Sequence, residues 1–434
     1  MRNAASWGRF PVASETVLAQ RWRGDSLPQA PAGKTLLPYG LGRSYGDSCL
    51  NDGQAVVATR LLRRLISFDA ERGVLRCEAG TSLAEILEFA IPRGWFLPVT
   101  PGTRFVTVGG AVANDVHGKN HHVAGNFGRF VNGFELLRSC GGRQWCSRRE
   151  NAGWFHATVG GLGLTGLITQ AEVRLKPIRN RLIDCETIRY GTLEEFFALS
   201  LESEPGYEYL VAWVDATAKG SQAGRGLLMR GNHNGELPME SAPAERQLRM
   251  PFDFPGFVIN RYTIQAFNTL YFRRQRGSRK CSRVDLYPFF YPLDSIAEWN
   301  RMYGRSGFLQ WQCLVPLDRG PDALREILES IGRSGQGSFL AVMKTMGGIP
   351  PEGNLTFSGR GVTLALDLRN APAVFSLLER LDRVVAEAGG KLYPAKDARM
   401  SAAHFQRFYP NWNEHCRWMD PAFSSSFWRR VSHA

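Results

Sequence analysis

The stretch Leu36-Leu-Pro-Tyr-Gly-Leu-Gly-Arg-Ser-Tyr-Gly-Asp47 runs from a short apolar segment into a loop with glycines at 40, 42 and 46. Glycine tolerates conformations and close approaches that a Cβ blocks, so such a loop lets successive backbone N–H groups converge on an anion. The spacing, G-x-G-x-x-x-G, is not the Rossmann fingerprint, and no P-loop lysine follows. The residues after Gly46 (Asp47, Ser48, Cys49, Leu50 and Asn51) are not expected to open a helix. Taken alone, the loop reads equally well as a glycine-rich surface turn.

Further glycine clusters follow it: Pro101-Gly-Thr-Arg104, Thr107-Val-Gly-Gly-Ala111, Asp115-Val-His-Gly-Lys-Asn-His-His122 and Thr158-Val-Gly-Gly-Leu-Gly-Leu-Thr-Gly-Leu-Ile168. Several such clusters in one region imply one long ligand lying against much backbone, and a dinucleotide meets that demand. Around them the pattern predicts strands at 55–59 and 74–78 and a helix at 82–91, with Ser82 and Glu85 as a capping box. A hairpin is expected around Gly141-Gly142, a strand at 166–175 and a boundary near Ile178. Beyond it, Thr192 and Glu195 cap one helix and Leu324, Ile327, Leu328 and Ile331 mark another; strands are expected at 307–315, 339–346 and 362–368, and a helix at 374–388.

The chain has 434 residues, enough for two or three compact units, and is 44% hydrophobic and 21% charged, as expected of a folded protein. Its start supplies no signal-peptide core and no long apolar run occurs, so the expected address is the cytoplasm. Eight scattered cysteines form no C-x-x-C pair and read as reduced structural thiols. The formal charge of +13 favours acidic partners, such as anionic lipid or a phosphorylated substrate. Nucleic acid is disfavoured, because no zinc-finger or RNP-type motif is present. His117, Lys119, His121 and His122 span too few positions, with no Cys or carboxylate pattern beyond Asp115, and no metal is expected.

Alternation at 307–315 puts Phe308, Gln310, Gln312 and Leu314 on one face of a strand and Leu309, Trp311, Cys313 and Val315 on the other. Two amides sharing an apolar face suit recognition of hydroxyl or phosphate oxygens. Lys344 likewise stands amid apolar neighbours and needs an anion or ligand to offset its desolvation. Residues 251–283 combine seven aromatics with a basic run that includes Arg273, Arg274 and Arg276, which suits docking to an anionic membrane surface or, equally, a packed helix ending in a solvated turn.

The ordered series of glycine motifs, with Glu298-Trp-Asn-Arg-Met-Tyr-Gly304, Gly307-Phe-Leu-Gln-Trp-Gln312 and Tyr393-Pro-Ala-Lys-Asp397, resembles the vanillyl-alcohol-oxidase flavoenzymes from end to end. Within them it is most similar to those that oxidise the 2′-hydroxyl of a polyprenylphosphoryl-β-D-ribose, the first half of an epimerisation to arabinose. The resemblance implies an α+β, two-lobed FAD-binding fold. Residues 1–178 with 391–434 would form the FAD lobe, and 179–390 an antiparallel-sheet substrate domain. It places FAD against Pro38, Tyr39, Gly40, Leu41, Gly42, Arg43, Ser44, Tyr45, Gly46, Asp47 and Ser48, then Gly102, Thr107, Val108, Gly109 and Gly110, then Asn114, Asp115, Val116 and His117, with Ile168 and Tyr393 completing the set. Relatives with covalent flavin carry histidine where this chain has Arg43, so the FAD is expected to be non-covalent.

Oxidising a hydroxyl needs a base beside the flavin, and the resemblance gives that role to Lys396, with His117 as second catalytic candidate. Tyr45, Lys119, Gln310, Gln312, Lys344 and Thr363 are the implied substrate residues. Thr363 and Ala365 stand where mycobacterial relatives have asparagine and cysteine, which leaves fine substrate preference open. A lipid-linked or other sugar is the expected substrate, an NAD(P)-dependent reductase the expected partner, and the inner face of the plasma membrane the expected docking surface. The alternative is an oxidase or dehydrogenase of a small polyol, sugar acid or aldonolactone.

Overall fold

The computed structural model describes residues 4–239 and 247–432. Helix Leu83–Ala90 starts at its capping box: Ser82 accepts from the Glu85 N–H and the Glu85 carboxylate accepts from the Ser82 N–H. Its buried face, Leu83, Ile86, Leu87 and Ala90, shares a core with Leu75, Cys77, Ala171 and Val173 of the neighbouring sheet. That antiparallel sheet has the spatial order Leu65–Asp69, Val74–Glu78, Leu167–Arg174, Val131–Arg138, Gly142–Ser147. The last two strands form the expected hairpin, where Gly142 adopts the left-handed φ of 66° that closes the turn. A smaller parallel sheet, Thr16–Ala19, Ala55–Ala58 and Pro38–Tyr39, delivers the glycine loop directly from the end of its last strand.

The second large sheet is antiparallel and eight-stranded, in the order Arg279–Asp285, Leu182–Tyr190, Gly226–His233, Tyr209–Val214, Ala341–Met346, Gly361–Arg369, Phe308–Val315, Lys391–Leu392. Helices Leu193–Ser203, Gly320–Ser334 and Pro372–Glu387 share one core with it, in which Leu324, Ile327, Leu328 and Ile331 meet Leu309, Trp311, Cys313 and Val315. Ile327 is fully buried, and Ile327→Ala would cost about 2–5 kcal/mol. The opposite face carries Gln310, Gln312, Lys344 and Thr363 into a cavity.

Some local expectations shift. Residues 47–49 do form one 3-10 turn, closed by the Leu50 N–H on the Asp47 carbonyl and braced by Arg430 on the Asp47 carboxylate at 2.7 Å. Glu195 takes the Gly191 N–H rather than that of Thr192, while Thr192 still caps the helix. The strand expected from 339 begins at Ala341, because the Ser338 hydroxyl engages both the N–H and the carbonyl of Leu340. The C-terminal segment opens as the edge strand Lys391–Leu392 of the larger sheet before the chain returns to the glycine loop.

Candidate active site

A cavity of about 410 Å³ is lined on one side by the glycine loop and by Gly102, Thr107, Gly109 and Gly110, and on the other by the large sheet. Among the described residues, the N–H groups of Gly40, Leu41, Gly42, Arg43 and Ser44 donate to no other protein group. Ser48 Oγ and Arg43 Nε are buried without a partner, and both residues line the cavity. Buried donors left unpaired by the protein are a standing demand for a ligand acceptor. The glycines at 109 and 110 serve a different end: the N–H groups of Val108, Gly109 and Gly110 go to Thr81 O, Ala79 O and Thr107 Oγ1, which fixes the short helix Val108–Ala113 against the wall. Arg43 lies over the Trp7 ring at 4.0 Å.

His117 connects the two walls. Its ring packs against Phe357 and Tyr393, at 5.9 and 5.6 Å, which stack on one another, and the Tyr393 hydroxyl donates to the Asn114 carbonyl at 2.9 Å. Lys344 Nζ reaches His117 Nδ1 at 3.0 Å, and the Gln312 amide is 3.1 Å from both His117 Nε2 and Thr363 Oγ1. Burial, then the Lys344 charge, hold the imidazole pKa well below its usual value, so the ring is neutral. A neutral imidazole has one lone pair and one N–H. While Lys344 is charged it takes the lone pair at Nδ1, so Nε2 carries the proton. The Gln312 oxygen then faces His117 and Thr363, and its NH₂ points into the cavity.

Two further lysines stand nearby. Lys119 donates to the Phe289 carbonyl, and burial lowers its pKa to about 8; Lys344 also donates to the Gly118 carbonyl, and burial with the Lys119 charge lowers its pKa to about 7. An ammonium group that depresses a second one in a common cavity favours an anion there. Lys396 ends the 3-10 turn Pro394–Lys396, with Nζ 3.8 Å above the centre of the Tyr45 ring. The loop and the tail are joined by the Tyr45 N–H on the Ala395 carbonyl at 3.0 Å. Burial pushes the Lys396 pKa down. Its sequence neighbour Asp397 pairs instead with Arg430 at 2.9 Å, so Lys396 faces the cavity and is not the surface partner of Asp397.

The structure brings Lys396, His117, Tyr45, Lys119, Gln310, Gln312, Lys344 and Thr363 to one cavity, together with Pro38, Gly40, Leu41, Gly42, Arg43, Ser44, Ser48, Gly102, Thr107, Gly109, Gly110, Asn114, Val116, Ile168 and Tyr393. Five sequence candidates stand behind the wall. The Tyr39 hydroxyl donates to the Ala5 carbonyl, Gly46 packs so tightly that a Cβ would lie 1.7 Å from the Asp397 carbonyl oxygen, and Asp47 pairs with Arg430. Val108 is core, and Asp115 accepts from Asn126, Gly128 and Thr356. Asp367 was not anticipated. Its alternation with Thr363 and Ala365 on one strand face was the available signal. Among the described residues no three His, Cys, Asp or Glu side chains converge as a metal site.

An FAD binding domain model matches residues 30–147. The chain is 37% identical to decaprenylphosphoryl-beta-D-ribose oxidase of Mycolicibacterium smegmatis, covering 98% of this chain and 96% of that protein. It is 31% identical to an uncharacterized protein of Streptomyces coelicolor over 81% of this chain and 99% of that one, and 22% identical to D-arabinono-1,4-lactone oxidase of Eremothecium gossypii over 70% and 56%. The unpaired N–H groups at 40–44 and the orphan Ser48 and Arg43 atoms fit the anionic pyrophosphate of FAD, and the several glycine clusters that line the one cavity fit a dinucleotide.

Proposed function

The chain belongs to the family of decaprenylphosphoryl-β-D-ribose oxidase and is an FAD-dependent oxidoreductase acting on a CH–OH group, and on that premise we propose that it oxidises the 2′-hydroxyl of a polyprenylphosphoryl-β-D-ribose to the ketone. The observation that carries this reading is the meeting, in one cavity, of a glycine loop with free N–H groups, a desolvated Lys396, the buried Lys344 and the half-buried Lys119. Residues 1–178 with 391–434 act as the cofactor lobe and 179–390 as the substrate lobe. The free N–H groups of 40–44 would hold the pyrophosphate. Bound FAD supplies the two-electron acceptor for the hydride that leaves the carbinol carbon.

Lys396 takes the hydroxyl proton, a role for which burial prepares it by favouring the neutral amine. The Gln312 NH₂ and Gln310 orient the sugar, His117 holds Gln312 and Lys344 in place, and Lys119 with Lys344 meets the phosphodiester. Anaerobic mixing with a panel of lipid-linked ribose, free polyols and an aldonolactone tests the assignment: bleaching of the flavin band by the lipid-linked sugar is expected, and bleaching by free polyols or the lactone alone would replace it with the small-substrate reading. Arg43 in the position of the covalent histidine makes the FAD non-covalent. Acid precipitation is expected to release yellow flavin into the supernatant; colour in the washed pellet would contradict this.

Among the described residues no helix is long and apolar enough to cross a membrane. Docking to an anionic membrane surface is supported by helix Arg261–Arg273 and its approach, where Phe257, Tyr262 and Leu270 are strongly exposed. Arg279 and Arg283 are paired with acidic side chains, but among the described residues Arg273 and Arg276 have no ion-pair partner. Each cation near anionic lipid contributes about 1 kcal/mol. Flotation with anionic liposomes should be strong for the native chain and weak after Arg273, Arg274 and Arg276 are changed to Gln. Equal flotation would remove the docking surface. An NAD(P)-dependent reductase that consumes the ketone completes the epimerisation.

A further inference from the structure

Gln310 takes its support from its own sheet, its amide donating to Asp367 in the adjacent strand. His117 is carried outside that sheet yet bonds to Lys344 and Gln312 within it, so its place depends on how its own segment is joined to the sheet. The connection between strands Ala341–Met346 and Gly361–Arg369, which bear Lys344 and Thr363, makes that join. In it Phe357 packs its ring against His117 at 5.9 Å, and the residues on either side, Thr356 and Ser358, are buried. The Thr356 hydroxyl donates to Asp115 Oδ2 at 2.8 Å, and the Ser358 hydroxyl donates to Asn126 Oδ1 at 2.8 Å. Lys391 Nζ holds the carbonyls of Thr356 and Ser358, at 3.0 and 3.4 Å.

Asp115 receives this connection from behind His117. Its backbone takes the left-handed φ of 39°, which a residue with a Cβ adopts only when its surroundings hold it, and the residue is 2% exposed. Oδ1 accepts from the Gly128 N–H at 2.9 Å, and Oδ2 accepts from the Asn126 amide at 2.9 Å as well as from Thr356. The same amide donates to the Asp115 carbonyl at 3.0 Å, the Phe127 N–H donates to the Val116 carbonyl at 2.9 Å, and Asn126 forms an antiparallel bridge with His117. Asn114, Val116 and His117 therefore line the cavity while Asp115, among them in sequence, points away from it. A buried polar network whose members are satisfied specifies one arrangement of the segments that meet in it.

We propose that Asp115 is a positioning residue for the reaction: it takes the Thr356 hydroxyl as a catch, and that bond sets the His117 ring where it meets both Lys344 and Gln312. The inference rests on the reading that His117 holds Gln312 and Lys344 toward the sugar. Neither Asp115 nor Thr356 lines the cavity, and no proton or electron passes through them. They act by geometry alone, since a small displacement of a substrate-orienting group, caused at a distance, is enough to weaken what it does.

The test is the concentration dependence of anaerobic flavin reduction by the lipid-linked sugar in the holoenzyme. Thr356→Val keeps the shape of the side chain and removes its donor, so the half-saturating sugar concentration should rise about fivefold while the limiting rate changes by less than about twofold. Thr356→Ser, which restores the hydroxyl, should return it to the native value, and Asp115→Asn should move it as Thr356→Val does. A merely structural role would weaken the protein without this split. An unmoved half-saturation in Thr356→Val, or an equal rise in Thr356→Ser, overturns the proposal. Members of one network are not additive, so with His117 changed to Ala the Thr356→Val change should add nothing further. An equal rise in that background would mean that the catch does not act through His117, and overturns it too. A second measurement needs no sugar: the NMR resonances of the His117 ring nitrogens, identified by their loss in His117→Ala, should shift in Thr356→Val and return in Thr356→Ser. Unshifted resonances overturn the proposal. If the lipid-linked sugar fails to bleach the native flavin, the substrate reading falls, and the ring resonances still decide whether the catch sets His117.

Discussion

One wall of the cavity is made largely of backbone and the other of side chains. Residues 40–44 offer five N–H groups held by loop geometry, with Gly42 in the left-handed region at φ 61°. The facing wall offers Gln310, Gln312, Lys344 and Thr363 from three adjacent strands, each fixed by a named neighbour. A backbone wall recognises a constant group, because every residue supplies the same donor and selectivity lies in which side chains are small. A side-chain wall can be altered one function at a time, and that suits the part of the ligand that reacts or varies.

The comparison is broken most severely at the point where the walls meet. Lys396→Ala should retain FAD and lose about 10²–10⁴ of the substrate-dependent flavin reduction, since the backbone wall survives while the proton acceptor does not. Near-native single-turnover reduction would dissociate Lys396 from the chemistry. Arg430→Gln strikes the support of the backbone wall: it leaves Asp47 and Asp397, both buried, without their shared cation, at a cost of about 3 kcal/mol. A lowered melting temperature with weaker FAD retention is expected; an unchanged melting temperature would show that the tail does not brace the loop.

Smaller effects are expected on the side-chain wall. Lys344→Ala removes a charged donor worth about 1.5–3 kcal/mol, and KM should rise by roughly tenfold or more with FAD content unchanged. Gln312→Ala, which removes neutral hydrogen bonds of about 1 kcal/mol, should raise KM by only about fivefold. If both variants leave the kinetics untouched, the sheet face is not the substrate wall. If both lose FAD, the division between the walls is wrong.

Much of this frame was readable in local sequence. Ser82 with Glu85, the glycines of the loop and the alternation over Phe308–Val315 are short-range patterns, and short-range sterics and hydrogen bonding realise them. Side chains face away from the cavity where a residue's partner is distant in the chain. Asp47 belongs to Arg430, Tyr39 to Ala5, and Asp115 to Asn126 and Thr356, so residues inside the glycine motifs turn away from the cavity. Lys391–Leu392 joins the large sheet because Phe308–Val315 has a free edge there, which no local pattern announces.

The sequence by itself determined the elements, the loop that only glycines can form and the strand face that carries the amides, because these follow from φ/ψ sterics and side-chain periodicity within a few residues. Tertiary structure decided which of those residues act together. Tyr45, His117, Gln312, Lys344 and Lys396 come from five separated stretches, and only packing sets the 3.0 Å between Lys344 and His117 or the 3.8 Å between Lys396 and the Tyr45 ring. Protonation was decided there too: desolvation and Coulomb energy depend on what surrounds a group in space, so it is the fold that lowers the Lys396 pKa.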